Sequence, residues 1–193
     1  MLTTIDDNKL IAIGDAIRER NGTTDKYTTD EMPNAIKSLI AGADISKLVD
    51  RSIAGIYKDD TIEEIGYGAF HFCSQLEGVD CANVDVVKPE AFYQCNNLKT
   101  VNLPKAVIIG DHAFASSGIT NVSFPNAGRI NSDAFTYCRG LREIKLPSVY
   151  EIAVDAFTGC DYLNDIYIGA AEGEITGAPW GASSATIHYN YTE

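Results

Sequence analysis

Five cysteines and three histidines are the residues of this 193-residue chain with the widest reach for metal or nucleophilic chemistry. Zinc sites draw on close pairs such as C-x2-C, and Cys73, Cys81, Cys95, Cys138 and Cys160 supply none. Four of them, all but Cys81, follow one another at steps of 22, 43 and 22 residues, a spacing that stacks side chains instead of converging them. Stacking would bring Cys73 near Cys95, and Cys138 near Cys160, within the Cα range of a disulfide. Parallel side chains are poorly aimed for that bond, so the cysteines read as small buried apolar residues. His71, His112 and His188 are accompanied by no G-x-S-x-G, H-E-x-x-H or phosphate-loop motif. The GYGAFH segment at residues 66–71 lacks the third glycine, the lysine and the strand–helix context of a phosphate loop. One further polar set recurs in step: Gly68, Glu90, His112, Asp133 and Asp155. Stacking sets His112 between two acids, as a cation site or an acid–base pair would need. The same residue types also cap short helical turns, and capping is the preferred reading. No catalytic set results. The chain is expected to be a non-enzyme with no cofactor and no bound metal.

The elements that would position these residues follow from a repeat. Ala69-Phe70, Ala91-Phe92, Ala113-Phe114, Ala134-Phe135 and Ala156-Phe157 are separated by 22, 22, 21 and 22 residues. A period of that size marks a solenoid in which each repeat is one coil stacked on the last. Four residues before each Ala stands Ile65, Val87, Ile109, Ile130 or Ile152, which predicts a short strand. After the Phe come Leu76, Leu98, Ile119, Leu141 and Leu163, then Val79, Val101, Val122, Ile144 and Ile166. Two residues beyond these lie Cys81, Leu103, Phe124, Leu146 and Ile168, a period-2 pattern for a second strand with one buried face. Pro104, Pro125 and Pro147 follow directly and end the pairing. The Ala-Phe-x-x-Cys stretch is expected to form one helical turn. The third repeat is one residue short between Phe114 and Ile119, beside Gly118, so its turn should be tighter. Ile53 and Ile56 read as a degenerate opening strand. Ile187 and Tyr189 read as a closing one, after a last coil in which Pro179-Trp180 replaces the Phe.

The pattern I-G-x-x-A-F-x-x-C-x-x-L-x-x-V-x-L-P resembles the BspA-like leucine-rich repeats of bacterial surface and phage-encoded proteins, over residues ~45–193. Ser117 departs from the Cys column, and Cys81-Ala82 replaces the usual Leu-Pro. The resemblance implies a right-handed, β-rich leucine-rich-repeat solenoid over residues 43–193. Residues 1–42 form a separate extension. Ile5, Leu10, Ile13, Ala16 and Ile17 predict an amphipathic helix over 5–20, stopped by Asn21-Gly22. Thr28 and Glu31 match a capping box for a second helix carrying Met32, Ala35, Ile36, Leu39 and Ile40. Two such helices need a partner, either the first coil or another chain, so a homo-oligomer built through them is one expectation. The segment GDAIRERNGTTDKYTTDEMPNAIKSLI is similar to N-terminal segments of phage and prophage tail-associated proteins, which implies a place on a particle.

Charge excludes some partners. The net charge is −12, and residues 61–193 carry 16 acidic against 7 basic residues. No basic stripe exists to replace phosphate counterions, which argues against nucleic acid, and no apolar run approaches a membrane span. The start MLTTIDDNKL has neither the basic nor the apolar region of a secretory signal. The expectation is synthesis in the cytoplasm with possible carriage on a virion, or a cell-surface location if the gene starts upstream. A solenoid offers a ladder-like surface, and the strand residues pointing outward are its best binding candidates. They are Gly78 and Asp80; Thr100 and Asn102; Asn121 and Ser123; Glu143 and Lys145; Asp165 and Tyr167, with His188 extending the row. Stacked about 4.8 Å apart, these groups suit a glycan or an extended peptide, with Tyr167 as anchor. The expected function is non-catalytic recognition or adhesion, binding a protein or glycan on a bacterial or host surface from a phage or prophage particle. The rivals are a bacterial cell-surface adhesin and a structural or assembly protein of a multimeric particle.

Overall fold

The computed structural model describes residues 53–192. The helices and the domain boundary expected in residues 1–52 lie outside those residues. Within them the chain winds as a parallel β-solenoid of about six coils. One face carries β1 (Gly55–Lys58), β3 (Leu76–Asp80), β5 (Thr100–Asn102), β7 (Asn121–Ser123), β9 (Glu143–Leu146), β11 (Asp165–Ile168) and β12 (Thr186–His188). The other carries the two-residue strands β2 (Glu64–Ile65), β4 (Val86–Val87), β6 (Ile108–Ile109), β8 (Arg129–Ile130) and β10 (Glu151–Ile152), paired in one continuous parallel sheet. Both strand columns expected from the repeat are present, and equivalent residues pair: Val79 with Val101, and Val122 with Ile144 and then Ile166.

The core is a set of internal ladders. Phe70, Phe92, Phe114, Phe135 and Phe157 are fully buried, and successive rings stack at centroid distances of 5.2, 5.0, 5.4 and 5.4 Å. Phe124, from the strand column, wedges against both Phe114 and Phe135 at 5.7 and 6.1 Å. Burying a side chain of this size contributes about 1.5–3 kcal/mol, and each coil depends on its neighbours to achieve it. Trp180 closes the far end, buried, with its indole N–H donating to the Thr176 carbonyl at 2.9 Å.

The Ala-Phe-x-x-Cys stretch is not a helical turn. It is a run of tight turns in which Phe72, Gln94, Ser116 and Tyr137 take φ of 61, 56, 57 and 58°, and Gly159 takes 72°. The N–H(i)→O(i−3) bonds come at alternate residues, Ala69 to Gly66, His71 to Gly68 and Cys73 to Phe70, and the left-handed step inside the last of them stops a helix from continuing. The Phe amides, which make no bond within their own coil, point to the next one. Phe70 donates to the Ala91 carbonyl at 2.8 Å, and Phe92 to Ala113 at 2.7 Å. The capping reading is corrected with it: Glu90, His112 and Asp133 themselves sit at φ of 57, 54 and 54°, where they reverse the chain. Asp and His tolerate that region better than most residues. Asp133 accepts from the Thr136 hydroxyl at 2.6 Å, and no helix follows it to be capped.

The opening strand differs by one register position from the sequence expectation. Tyr57, paired with Val79, turns inward and meets Phe70 at 5.0 Å, while Ile56 pairs with Gly78 and is 66% exposed. A bulge between Gly55 and Ile56, with Gly55 at φ 76°, produces the shift. Where the third coil is short, the broad face divides. The order β1-β3-β5 forms one sheet and β7-β9-β11-β12 another, so β5 and β7 lie side by side without a shared ladder.

Candidate functional site

The outward row singled out in the sequence therefore falls into two hydrogen-bonded groups of strands that lie side by side where β5 meets β7. Coils one and two bring together Gly78, Asp80, Thr100 and Asn102. Asp80 receives the Lys58 ammonium on one oxygen and the Asn102 amide, at 2.7 Å, on the other. Lys58 first and Asn102 second hold the Asp80 carboxyl below its ordinary pKa, and Lys58 is raised in return. Gly78 is buried beneath its neighbours: a Cβ there would lie 2.3 Å from the Thr100 hydroxyl and 3.1 Å from Ile56. The charged and amide groups of this patch pair with one another, and the exposed Ile56 side chain lies over Gly78.

The second patch is different. Asn121 and Ser123 begin it, aligned with Glu143 and Lys145, which align in turn with Asp165 and Tyr167. His188 pairs with Tyr167 in register, and the two rings stack at 4.3 Å and 10°. The same imidazole meets the Asp165 carboxylate at 2.7 Å. Tyr191 adds a third ring, 5.0 Å from Tyr167 and tilted by 56°. The Lys145 ammonium sits over both tyrosines, 5.8 and 5.9 Å from their centroids, and 3.4 Å from Glu143. Glu143 and Tyr191 raise the Lys145 pKa and keep the cation on the shelf. The result is an aromatic shelf with a cation above it and two carboxylates along one edge. Its rings offer apolar faces, and its edge offers charged hydrogen-bonding groups. Tyr191 was not among the residues singled out in the sequence. It stands outside the period-2 strand and is brought in by its own amide, which donates to the Ile168 carbonyl at 2.9 Å.

The other chemistry-bearing residues resolve as structure. All five cysteines are buried, and none is joined in a disulfide. Their column has a role that the sequence reading missed, because the thiol donates to a backbone carbonyl of the previous coil. Cys95 reaches Phe70 at 2.9 Å, Cys138 reaches Phe114 at 3.0 Å, and Cys160 reaches Phe135 at 3.0 Å. Burial pushes the Cys138 thiol up to about 12 and raises Cys160 as well. His112 faces Asp133 at 3.7 Å, while Glu90 is taken by the Tyr67 hydroxyl at 2.9 Å and by His71 at 3.5 Å. The acid–imidazole alternation is thus divided between different partners. Among the described residues no group of three or more His, Cys, Asp or Glu side chains is arranged to hold a metal ion.

Six copies of the repeat described as the BspA type leucine rich repeat region match residues 50–164. The chain belongs to the BspA-type leucine-rich repeat family. Among solved structures, this BspA-type chain is similar to a leucine-rich repeat protein of Bacteroides ovatus, with 29% identity and a TM-score of 0.55 over 61% of this chain and 32% of that one. It also shares its fold with a leucine rich cell surface protein of Faecalibacterium prausnitzii, at 23% identity and a TM-score of 0.58 over 72% of this chain and 35% of that one. The BspA-type chain thus spans about a third of each of those proteins. No curated protein matches it. The phage-tail resemblance of the N-terminal segment gains no support from these matches, and that segment lies outside the described residues.

Proposed function

We propose that this chain is a non-catalytic recognition module that binds a protein or glycan at a cell surface through the shelf of Glu143, Lys145, Asp165, Tyr167, His188 and Tyr191. The observation that carries the reading is the Tyr167–His188 stack at 4.3 Å, with the imidazole tied to Asp165 at 2.7 Å. Such a rigid aromatic surface loses little side-chain entropy on binding, which is the property of interaction hot spots. The imidazole is held by a carboxylate at its edge and a tyrosine ring on its face, which fixes the orientation of the shelf. The surface location is supported by the description of the Faecalibacterium neighbour, which concerns that protein and supports this one by likeness of fold. Asn121, Ser123, Thr100 and Asn102 extend the contact zone when the ligand is long.

The test is a glycan array and an immobilised extracellular-matrix protein panel, read for wild type and Tyr167→Ala side by side. Loss of a stacked aromatic anchor lowers affinity by about 2 kcal/mol, roughly thirtyfold. Equal binding by the two proteins would remove the shelf from consideration.

A further inference from the structure

The shortened third coil leaves a notch. Phe114 and Ile119 are five residues apart where every other coil has six, and the turn collapses onto the coil before it. Gly118 donates its amide to the Cys95 carbonyl at 3.1 Å, and a Cβ on Gly118 would lie 2.0 Å from the Asn96 carbonyl oxygen. On the other side Arg139 and Gly140 stand at the full-length position of the following coil. A Cβ on Gly140 would lie 2.9 Å from the Ile119 carbonyl oxygen, so that coil meets the shortened turn closely as well. What remains is an open groove of about 450 Å³ lined by Asn96, Lys99, Ser116, Ser117, Tyr137 and Arg139, with Gly118 and Gly140 at its walls.

The electrostatics of that groove run against those of the surrounding solenoid. Residues 61–193 carry 7 cations against 16 acids. Lys88, Arg129 and Lys145 are paired with carboxylates. Among the described residues Lys99 and Arg139 form no ion pair, although their register neighbours include Glu77 and Asp161. The Lys99 ammonium donates to the Gly118 carbonyl at 2.9 Å, which leaves two of its three N–H groups for another acceptor. The Arg139 guanidinium rests 5.8 Å from the Tyr137 ring centroid, and both side chains are exposed. Two unpaired cations in a concave site focus positive potential there, on a protein whose field otherwise repels anions. The remaining lining is hydroxyl, amide and one aromatic ring, with no aliphatic side chain. Its volume lies in the range of small-molecule sites.

We propose that this notch is a binding subsite for a carboxylate-bearing sugar residue, with Lys99 and Arg139 taking the carboxylate. Ser116 and Asn96 address the ring hydroxyls, and Tyr137 meets the apolar face of the ring. The groove is open at the top, so a uronic-acid unit within a longer chain can enter it. The subsite is separate from the Tyr167 shelf and shares with that reading only the premise that the solenoid binds ligands.

Isothermal titration of the full chain with glucuronate, glucose, acetate and the acetylated dipeptide Asp-Glu tests it. Glucuronate binds at least tenfold more tightly than the other three. Lys99→Ala and Arg139→Ala each weaken glucuronate by about tenfold, the usual size of a lost charged hydrogen bond. An asparagine inserted between Ser117 and Gly118 restores the regular coil and abolishes binding, while far-UV circular dichroism stays unchanged. Tyr167→Ala leaves glucuronate binding intact, which separates failure of this subsite from failure of the shelf. Absence of glucuronate binding, equal binding of glucose or acetate, tighter binding of the dipeptide, or an Arg139→Ala protein indistinguishable from wild type would each overturn the assignment.

Discussion

Replacing Phe114 by alanine removes the middle rung of the internal aromatic ladder. Its ring touches Phe92 at 5.0 Å, Phe135 at 5.4 Å and Phe124 at 5.7 Å, and none of it reaches solvent. Truncating a buried Phe costs about 3–5 kcal/mol, and each aromatic pair adds about 0.5–1.5 kcal/mol beyond area. Three lost pairs place Phe114→Ala at the top of that range, near 5 kcal/mol. A small domain has about 5–15 kcal/mol in total, so the variant approaches the unfolding threshold. Phe157 is equally buried but stacks on Phe135 alone, at 5.4 Å. Phe157→Ala therefore costs less, by at least about 1 kcal/mol. Phe114→Leu keeps most of the volume and loses the three ring pairs, so its cost is at least about 1.5 kcal/mol. Urea titration read by far-UV circular dichroism gives these differences, while fluorescence of the single tryptophan, Trp180, reports on the last coil. Because coils couple only to their neighbours, a central lesion also separates the two readouts, with the Trp180 coil melting at its own midpoint. Equal costs for Phe114→Ala and Phe157→Ala would refute the ladder as the source of stability.

Two further outcomes follow from backbone approach and from buried thiols. A Cβ at Gly169 would lie 1.9 Å from the Pro147 carbonyl oxygen, so Gly169→Ala forces coils apart and costs about 3 kcal/mol or more. Gly173 has open space and only a positive φ of 86°, so Gly173→Ala costs about 1 kcal/mol; equal melting temperatures for the pair would contradict the close approach. The buried cysteines make the fold sensitive to alkali. Burial raises the Cys81 thiol to about 11 and the Cys138 thiol to about 12, whereas an unfolded thiol ionises near 8.5. Above that pH the unfolded chain binds fewer protons than the native one, so stability falls as pH rises, by up to about 1.4 kcal/mol per unit for each thiol. The loss levels off once pH passes the folded values. Cys138→Ala flattens the slope between pH 9 and 12 in urea titrations, and an unchanged slope would show that the thiol is not the titrating group.

Much of this architecture could be read from residue columns, because a solenoid writes each buried position once per coil. The Phe rungs, both strand columns and the prolines after Leu103, Phe124 and Leu146 have one physical explanation each. What stayed hidden depends on geometry below the level of periodicity. The register of β1 turns on one bulge at Gly55, which swaps Tyr57 for Ile56 on the inner face. The turns after Ala-Phe look helical in spacing, and only the positive φ at Phe72, Gln94, Ser116 and Tyr137 reveals otherwise. Those side chains carry no glycine to announce the bend. The thiol-to-carbonyl bonds are equally invisible, since a buried cysteine reads as a small hydrophobe. At the shelf, Asp165, Tyr167 and His188 were legible as outward strand positions in step. Tyr191 was not, because it lies past the last strand. The shortened third coil was legible as a tighter turn, whereas its splitting of the broad face was a consequence of packing.

Neighbouring coils are tied by main-chain bonds and by short side-chain props, such as the Asn97 amide on the Ser74 carbonyl at 2.7 Å and the Ser148 hydroxyl on Pro125 at 2.6 Å. None of these props calls on the side chains at positions 100, 121, 143 or 186, although Asp165 does tie its coil to His188 at 2.7 Å. The scaffold is therefore indifferent to what is displayed there, much as a bookcase is indifferent to its titles. Such a protein can exchange its exterior vocabulary by point mutation, or lengthen by duplicating a coil, without renegotiating the interior that keeps it standing.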